Sequence, residues 1–129
     1  NLGVEGINKF ARSFYFDNVE DRAGVDPLRS VVYMRGKSPT WYRGYGKETI
    51  DKNEFAAIAK NMGAKKFVIG HTLHESVTYL MDKQVIDLDV LHAQGTTQGL
   101  LIENGQEYMV DIQGQKSAIK ERAKEVDDD

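Results

Sequence analysis

The chain has 129 residues, a formal net charge of −3 at neutral pH and 40% hydrophobic residues, a composition typical of one globular domain. Its longest uninterrupted apolar run, residues 55–59, is five residues long, whereas a membrane-spanning helix needs about 20. Because cysteine is absent, disulfides, zinc–thiolate sites and thiol catalysis are excluded, and a soluble chain in either the cytoplasm or the periplasm remains open.

The N-terminal part of the chain alternates between periodic and irregular segments. Apolar residues three and four apart predict an amphipathic helix over residues 4–15. The polar residues 17–30, which contain Asp26-Pro27, predict a loop, and residues 31–34 predict a short strand. Three glycines, one proline and three aromatic residues in the segment 36–47 indicate an ordered loop.

A helix followed at once by a strand is predicted next. Asp51 and Glu54 form a capping box at the start of this helix, and Gly63 fits the left-handed position after its end. The short apolar segment 67–70, which ends in glycine, predicts a buried strand. The apolar face of the helix comprises Phe55, Ile58, Ala59 and Met62.

The second half of the chain has the patterns of antiparallel strands. Residues 76–81 and 84–90 are predicted to pair around Asp82-Lys83, and residues 98–103 and 106–112 flank Asn104-Gly105, a favoured hairpin turn. Residues 115–129 predict a charged terminal helix and an acidic tail. The predicted fold class is therefore α/β with α+β character, in which N-terminal helices precede an antiparallel-rich sheet.

The three histidines are the first candidates for chemistry. His71, in Gly70-His71-Thr72, follows a predicted strand, and functional groups collect at such strand ends. Imidazole is both a metal ligand and an acid or base near neutral pH, although spacing alone favours a histidine that caps the strand end and bonds to the backbone. His74 is a poor metal partner for His71 at a spacing of three, and His92 is expected on the surface.

Two carboxylates and one arginine are the remaining candidates. Asp87 and Asp89 alternate with apolar residues, a pattern that favours a solvated strand face over a catalytic pair. Arg43 lies among Trp41, Tyr42 and Tyr45, within a segment from 28 to 47 that carries five cations and no acid. Such an arginine suits a phosphate or carboxylate, whereas packing of the loop onto the domain also explains Trp41.

The motifs Trp41-Tyr42-Arg43-Gly44 and Gly70-His71-Thr72, separated by a capped helix, resemble the C-terminal half of bacterial calcineurin-like metallophosphoesterases of the serine/threonine protein phosphatase type. The later segments 85–89 and 99–103 fit the closing strands of the same family, and the resemblance covers residues 3–113. The resemblance implies a fold in which helices flank a β-sandwich. It also implies an enzyme that hydrolyses phosphate monoesters, including phosphoserine or phosphothreonine.

The resemblance also implies a site with two divalent metal ions, Mn, Fe or Zn, in which His71 is a metal ligand and Arg43 contacts the substrate phosphate. The family blocks that supply most metal ligands and the catalytic acid are absent from the sequence. We therefore expect residues 1–129 to form a single C-terminal portion, inactive alone, without stably bound metal, and completed by an N-terminal half. Asp89 matches a family position with no assigned chemistry.

Two alternatives to an enzyme remain at this point. One is a non-catalytic module that binds a phosphorylated or anionic partner through Arg43. The other, single-stranded nucleic acid on the aromatic and basic loop, is disfavoured by the net negative charge of the chain. The expected partners are thus a phosphorylated substrate and no membrane, and exposed sheet edges would allow a homo-oligomer.

Overall fold

The computed structural model describes residues 2–16, 27–33, 36 and 38–126. These residues divide into two compact units. The first comprises the described parts of Asn1–Arg43 together with Asn53–Ala64, and the second comprises Gly44–Lys52 and Lys65–Asp129 as far as described. Within the described residues, no helix is long and apolar enough to cross a membrane.

The first helix of the first unit, α1, spans Gly3–Phe14 and confirms the predicted amphipathic segment. Its last residue, Phe14, is buried, and the Phe10 and Phe14 rings meet edge to face with 5.2 Å between their centroids. The guanidinium of Arg29 lies 5.0 Å from the centroid of the Phe14 ring. This cation–π contact joins α1 to the second helix.

The second helix, α2, spans Pro27–Tyr33, so the predictions of a loop through residue 30 and a strand over residues 31–34 are wrong there. Proline is favoured in the first turn of a helix because its φ is already helical and its missing N–H would have no intrahelical partner. Asp26-Pro27 therefore precedes a helix rather than closing a loop. Residues 17–26 and Met34 lie outside the described part of the chain.

Helix α3 spans Lys52–Met62, and all but its first residue belong to the first unit. It ends as predicted at Gly63, whose φ of 64° is left-handed. The N–H of Gly63 donates to the carbonyl of Lys60, and the N–H of Ala64 donates to that of Ala59, at 3.2 and 3.0 Å. This Schellman pair satisfies carbonyls that the helix end would leave unpaired.

The second unit contains two sheets. The strands are β1 Phe67–Ile69, β2 Thr78–Leu80, β3 Val85–Asp87, β4 Gln98–Glu103, β5 Gln106–Asp111, β6 Lys116–Ser117 and β7 Lys120–Glu121. The four-stranded sheet has the order β1-β3-β2-β7, and the three-stranded sheet has the order β4-β5-β6. A short 3₁₀ turn at His92–Gln94 follows β3.

The four-stranded sheet combines a hairpin with parallel pairs. β2 and β3 pair antiparallel around the turn at Asp82-Lys83, as predicted, whereas β1 pairs parallel to β3 with Phe67 opposite Val85. Because β1 is the end strand of this sheet, Val68 remains 50% exposed, and the prediction that the strand is buried is wrong. β3 lies inside the sheet, and all three of its residues are buried.

The three-stranded sheet begins with the predicted hairpin of β4 and β5. Asn104 and Gly105 at its turn have φ of 51° and 75°, the left-handed values that a type I′ turn requires. The predicted charged terminal helix is wrong, because β6 pairs with β5 and β7 pairs with β2. Pairing with existing strands outweighs the helical preference of this short charged segment. Residues 127–129 lie outside the described chain.

The core of the second unit consists of Val77, Ile86, Val90 and Ile119. Leu100 and Met109, from the other sheet, pack against this core. The structure therefore confirms the predicted mixed class, with helices first and strands after them.

A matched pair of substitutions tests the two environments of the four-stranded sheet. Val85→Thr introduces a hydroxyl at a fully buried position, whereas Val68→Thr introduces it at a half-exposed one. We expect Val85→Thr to lower the free energy of unfolding by about 1–3 kcal/mol. Val68→Thr should change it by no more than about 0.5 kcal/mol. Urea titrations measure both, and equal losses would contradict the assigned burial.

Candidate active site

The parallel pairing of β1 with β3 brings two polar residues to the same sheet edge. β1 ends at Ile69 and β3 ends at Asp87, and the pairing continues through the N–H of Leu88, which donates to the Ile69 carbonyl at 2.9 Å. The residues just beyond these ends are His71 and Asp89. The backbone N–H of His71 donates to Asp89 Oδ2 at 2.7 Å, so the two residues are in direct contact.

His71 has an unusual backbone conformation. Its φ is 76°, in the left-handed region that residues with a side chain rarely adopt. Such a conformation costs about 1–2 kcal/mol and persists only where surrounding contacts enforce it. The charge-assisted hydrogen bond to Asp89 is one such contact. Strained residues of this kind cluster at active sites and ligand clamps.

Asp87 lies behind this pair and is fully buried. Its Oδ1 accepts the backbone N–H of Asp89 at 3.0 Å. Burial raises the pKa of Asp87 to about 6, although that hydrogen bond opposes the rise. The prediction that Asp87 and Asp89 occupy a solvated strand face is therefore wrong, because β3 is an inner strand covered on both faces.

His74 is also buried, with 3% of its surface exposed. Its Nδ1 lies 3.0 Å from the carbonyl oxygen of Thr72 and 3.5 Å from Asp87 Oδ2. Because a carbonyl oxygen can only accept a hydrogen bond, Nδ1 carries the proton. The backbone N–H of His74 donates to the Asp89 carbonyl at 3.0 Å. His74 thus belongs to the interior of the loop.

The C-terminal segment holds this loop from the opposite side. The N–H of Val126 donates to the Leu73 carbonyl at 2.8 Å, and the N–H of Glu75 donates to the Lys124 carbonyl at 2.9 Å. Backbone bonds therefore fix both flanks of the segment that contains His74.

A cavity of about 340 Å³ opens beside His71. Asp89 and His92 also line it, so that two imidazoles and one carboxylate face the same space. The prediction that His92 lies at the surface is confirmed. This residue is exposed, and the 3₁₀ turn after β3 places it on the cavity wall. Leu73, Val90 and Leu91 supply the apolar part of the wall.

The described residues do not form a metal site by themselves. No three of their histidine, aspartate or glutamate residues lie close enough together to hold one ion, whereas a catalytic zinc site typically has three protein ligands. Two metal ions are expected only for a complete domain, and that expectation remains a prediction. The assignment of His71 as a metal ligand remains a prediction.

Arg43 belongs to the first unit, whereas His71 belongs to the second. The loop before Arg43 is ordered by the buried Ser38, whose carbonyl accepts the N–H groups of Trp41 and Tyr42 at 3.0 and 2.9 Å. Trp41 is 37% exposed, and Arg43 is half-buried. The role of Arg43 in binding phosphate remains a prediction. Arg35 and Lys37 lie outside the described residues.

Gly46 in the second unit packs directly against the buried polar residues. A Cβ atom at this position would lie 2.4 Å from Thr72 Oγ1 and 3.1 Å from Asp87 Oδ2, so only glycine fits. These same two oxygens are buried without a hydrogen-bond partner in the part of the chain that the structure describes. The sequence motifs contain no signal of this close approach.

The architecture of this chain is similar to that of solved phosphatase structures. No family model and no curated protein matches the chain. Its structure is similar to a crystal structure of a cold-active protein-tyrosine phosphatase of a psychrophilic Shewanella species, with 28% sequence identity and a TM-score of 0.78. The match covers 90% of this chain and 35% of that one. A point mutant of a cold-active protein tyrosine phosphatase matches equally well.

These neighbours correct the expected family. The resemblance to calcineurin-like metallophosphoesterases of the serine/threonine type is wrong, because the matching structures are described as protein-tyrosine phosphatases and no family model matches. Motifs as short as Gly70-His71-Thr72 mark a strand end with a polar side chain and do not define a substrate. The coarser expectation of phosphatase-type proteins agrees with the neighbours. The chain spans about a third of their length.

The buried carboxyl predicts a pH-dependent difference between the native chain and Asp87→Asn. The folded-state pKa of about 6 lies above the ordinary value of 3.8, so stability from the protonated form is complete below pH 3.8 and is lost as pH rises through 6. The asparagine carries no charge. The free energy of unfolding of Asp87→Asn, relative to that of the native chain, should therefore rise by about 3 kcal/mol over this pH range.

Urea titrations of both proteins between pH 4 and pH 8 measure this difference. A difference that stays constant, or that favours the native chain more strongly at high pH, would contradict a raised Asp87 pKa.

Proposed function

We propose that this chain is part of a phosphatase that hydrolyses phosphate esters and that the cavity at His71 belongs to its active site. The observation that carries the proposal is the joint placement of His71, Asp89 and His92 on one cavity in a chain whose structural neighbours are protein-tyrosine phosphatases. We take phosphotyrosine as the favoured substrate, because that activity is the one for which the neighbours are named.

The cavity offers groups that such a reaction needs. In hydrolysis, a water oxygen bonds to phosphorus, the ester P–O bond breaks, and the leaving oxygen gains a proton while the attacking water loses one. Imidazoles perform both proton transfers near neutral pH, and His71 and His92 both line the cavity. The apolar wall of Leu73, Val90 and Leu91 suits an aromatic leaving group.

We also propose that full activity requires polypeptide beyond this chain, the N-terminal half expected from the sequence. Two observations support this. The chain corresponds to about a third of the neighbouring phosphatases, and its described residues contain no set of three metal-binding side chains. A requirement for divalent metal ions is part of the same proposal and is tested by chelation.

The first test is hydrolysis of p-nitrophenyl phosphate and of phosphotyrosine and phosphoserine peptides. It uses this chain alone and the longer polypeptide encoded in the same reading frame, each with Mn²⁺ and with EDTA. We expect the longer polypeptide to hydrolyse the phosphotyrosine peptide, and His71→Ala to lower kcat/KM by about 100-fold or more, the usual contribution of a positioned acid or base.

Lys124→Ala, at an exposed position of the same unit, is the control and should retain activity. Absence of hydrolysis in the longer polypeptide under every condition would refute the proposed activity. Full activity of His71→Ala would instead remove His71 from the site. Equal rates with Mn²⁺ and with EDTA would remove the metal requirement alone.

A second candidate function, phosphate binding without turnover, is favoured by the ordered loop at Arg43. The Ser38 carbonyl anchors this loop, and the surrounding segment 28–47 carries five cations and no acid. A fixed guanidinium can bind a phosphate through two parallel hydrogen bonds, which an ammonium group cannot reproduce.

Calorimetric titration of this chain with phosphotyrosine tests that binding. We expect Arg43→Ala to weaken binding by about 10-fold or more. Arg43→Lys should bind with an affinity between those of the native chain and Arg43→Ala. Lys60→Ala, at an exposed site in α3, is the control and should bind as the native chain does. Binding that survives EDTA, in the absence of any hydrolysis by the longer polypeptide, would favour the binding module. Unaltered binding by Arg43→Ala would exclude Arg43.

A further inference from the structure

We propose that the buried carboxyl group of Asp87 is a positioning residue that holds Asp89, and through it His71, in their places on the cavity wall. The inference rests on the proposed function, because an ordered His71 matters for hydrolysis only if the cavity is the reaction site. Asp87 itself is not a cavity-lining residue, so its influence reaches the cavity through other groups.

Two hydrogen bonds in series connect Asp87 with His71. Asp87 Oδ1 accepts the N–H of Asp89 at 3.0 Å, and Asp89 Oδ2 accepts the N–H of His71 at 2.7 Å. The first bond fixes the backbone of Asp89 just beyond the end of β3. The second uses the Asp89 side chain to fix the backbone of His71. Loss of the first bond would leave the Asp89 backbone held by the His74 N–H, which donates to the Asp89 carbonyl, and would loosen the residue on which the second bond depends.

The backbone of His71 needs such support. Its φ of 76° is unfavourable for a residue with a side chain, so without external contacts the loop would relax toward negative φ. Relaxation would turn the imidazole away from its place on the cavity wall. Displacement of a reacting group by about 1 Å can lower a rate by about 100-fold.

The surroundings of Asp87 suit a fixed carboxyl. His74 Nδ1 lies 3.5 Å from Asp87 Oδ2, and the His74 N–H donates to the Asp89 carbonyl, so His74 also links the two aspartates. Gly46 and Thr72 complete the surroundings on the Oδ2 side. The titratable groups that face Asp87 are therefore His74 and Asp89.

A stability role explains this carboxyl poorly. Burial of an ionisable group costs free energy, and an apolar residue of similar size is often neutral or stabilising at such a position. Oδ2 is buried and has no hydrogen-bond partner among the described residues, which adds to the cost. Its neighbour Oδ1 supplies an acceptor for the Asp89 N–H, which a leucine could not do. This acceptor is the feature that the positioning role requires.

The direct test is amide hydrogen exchange of His71, measured by NMR on the 129-residue chain. Asp87→Ala removes the acceptor, whereas Asp87→Asn retains an oxygen at the same place. We expect Asp87→Ala to speed His71 exchange about tenfold or more, relative to the β4–β5 hairpin amides, and Asp87→Asn to restore most of the protection. Glu121→Ala, which removes an exposed carboxyl in the same unit, should leave exchange unchanged.

Asp89→Ala tests the second bond without altering the buried residue, so the proposal stays testable if Asp87→Ala does not fold. It should expose the His71 amide to the same extent. If Asp87→Ala does not fold, Asp87→Leu, which also lacks the acceptor but suits a buried position, takes its place in the same measurement. Unchanged His71 exchange in a folded Asp87→Ala or in Asp89→Ala would overturn the proposal.

Kinetics of the longer polypeptide separate this proposal from the proposed function. We expect Asp87→Ala to lower kcat about tenfold or more while KM stays within about twofold, and Asp87→Asn to recover activity. If exchange responds as expected and no variant, nor the native protein, hydrolyses a phosphate ester, the proposed function fails and the positioning of His71 stands. An unaltered kcat in a folded Asp87→Ala with loosened His71 would refute its relevance to catalysis.

Discussion

The parallel pairing of Phe67–Ile69 with Val85–Asp87 is the constraint on which the candidate site depends. Parallel strands end at the same edge of a sheet, so residues distant in sequence meet wherever two such strands stop. Here the pairing places Asp89 beside His71. The hairpin that joins β2 to β3 contributes the second half of this arrangement, because it makes β3 an inner strand and therefore buries Asp87. The order and direction of the strands thus bring these residues together, and the chemistry of their side chains acts only once they are in place.

The burial of Asp87 and the strain at His71 are two parts of one arrangement. A carboxyl inside a sheet and a left-handed histidine each cost free energy, and neither is expected in a fold optimised for stability alone. Two hydrogen bonds, from His71 to Asp89 and from Asp89 to Asp87, connect the strained backbone with the buried carboxyl. Gly46 closes the same region so tightly that no other residue fits there. Energetically unfavourable features that support one another in this way, such as a buried carboxyl and a strained backbone, are typical of functional sites.

Patterns in the sequence predicted those elements whose causes are local. Helix α1 follows from its apolar period, α3 from the glycine at its end, and the second hairpin from Asn104-Gly105. The errors arose where distant pairing decides the structure. Residues 116–121 form strands because β5 and β2 offer edges, and no local pattern shows that β3 is covered on both faces. In the site, the position of His71 after a strand was predictable, whereas its contact with Asp89 and the placement of His92 required knowledge of the parallel pair.

The same reasoning explains why the short motifs indicated the wrong family. Gly70-His71-Thr72 describes a local geometry, in which a strand ends and a polar side chain faces outward. Any fold that needs a fixed histidine at a sheet edge can use that geometry, so the motif says little about which substrate is bound. The structural neighbours share the arrangement of strands over 90% of this chain, and they are phosphatases. The arrangement of strands, and not the motif, determines which second and third residues, here Asp89 and His92, share the cavity with His71.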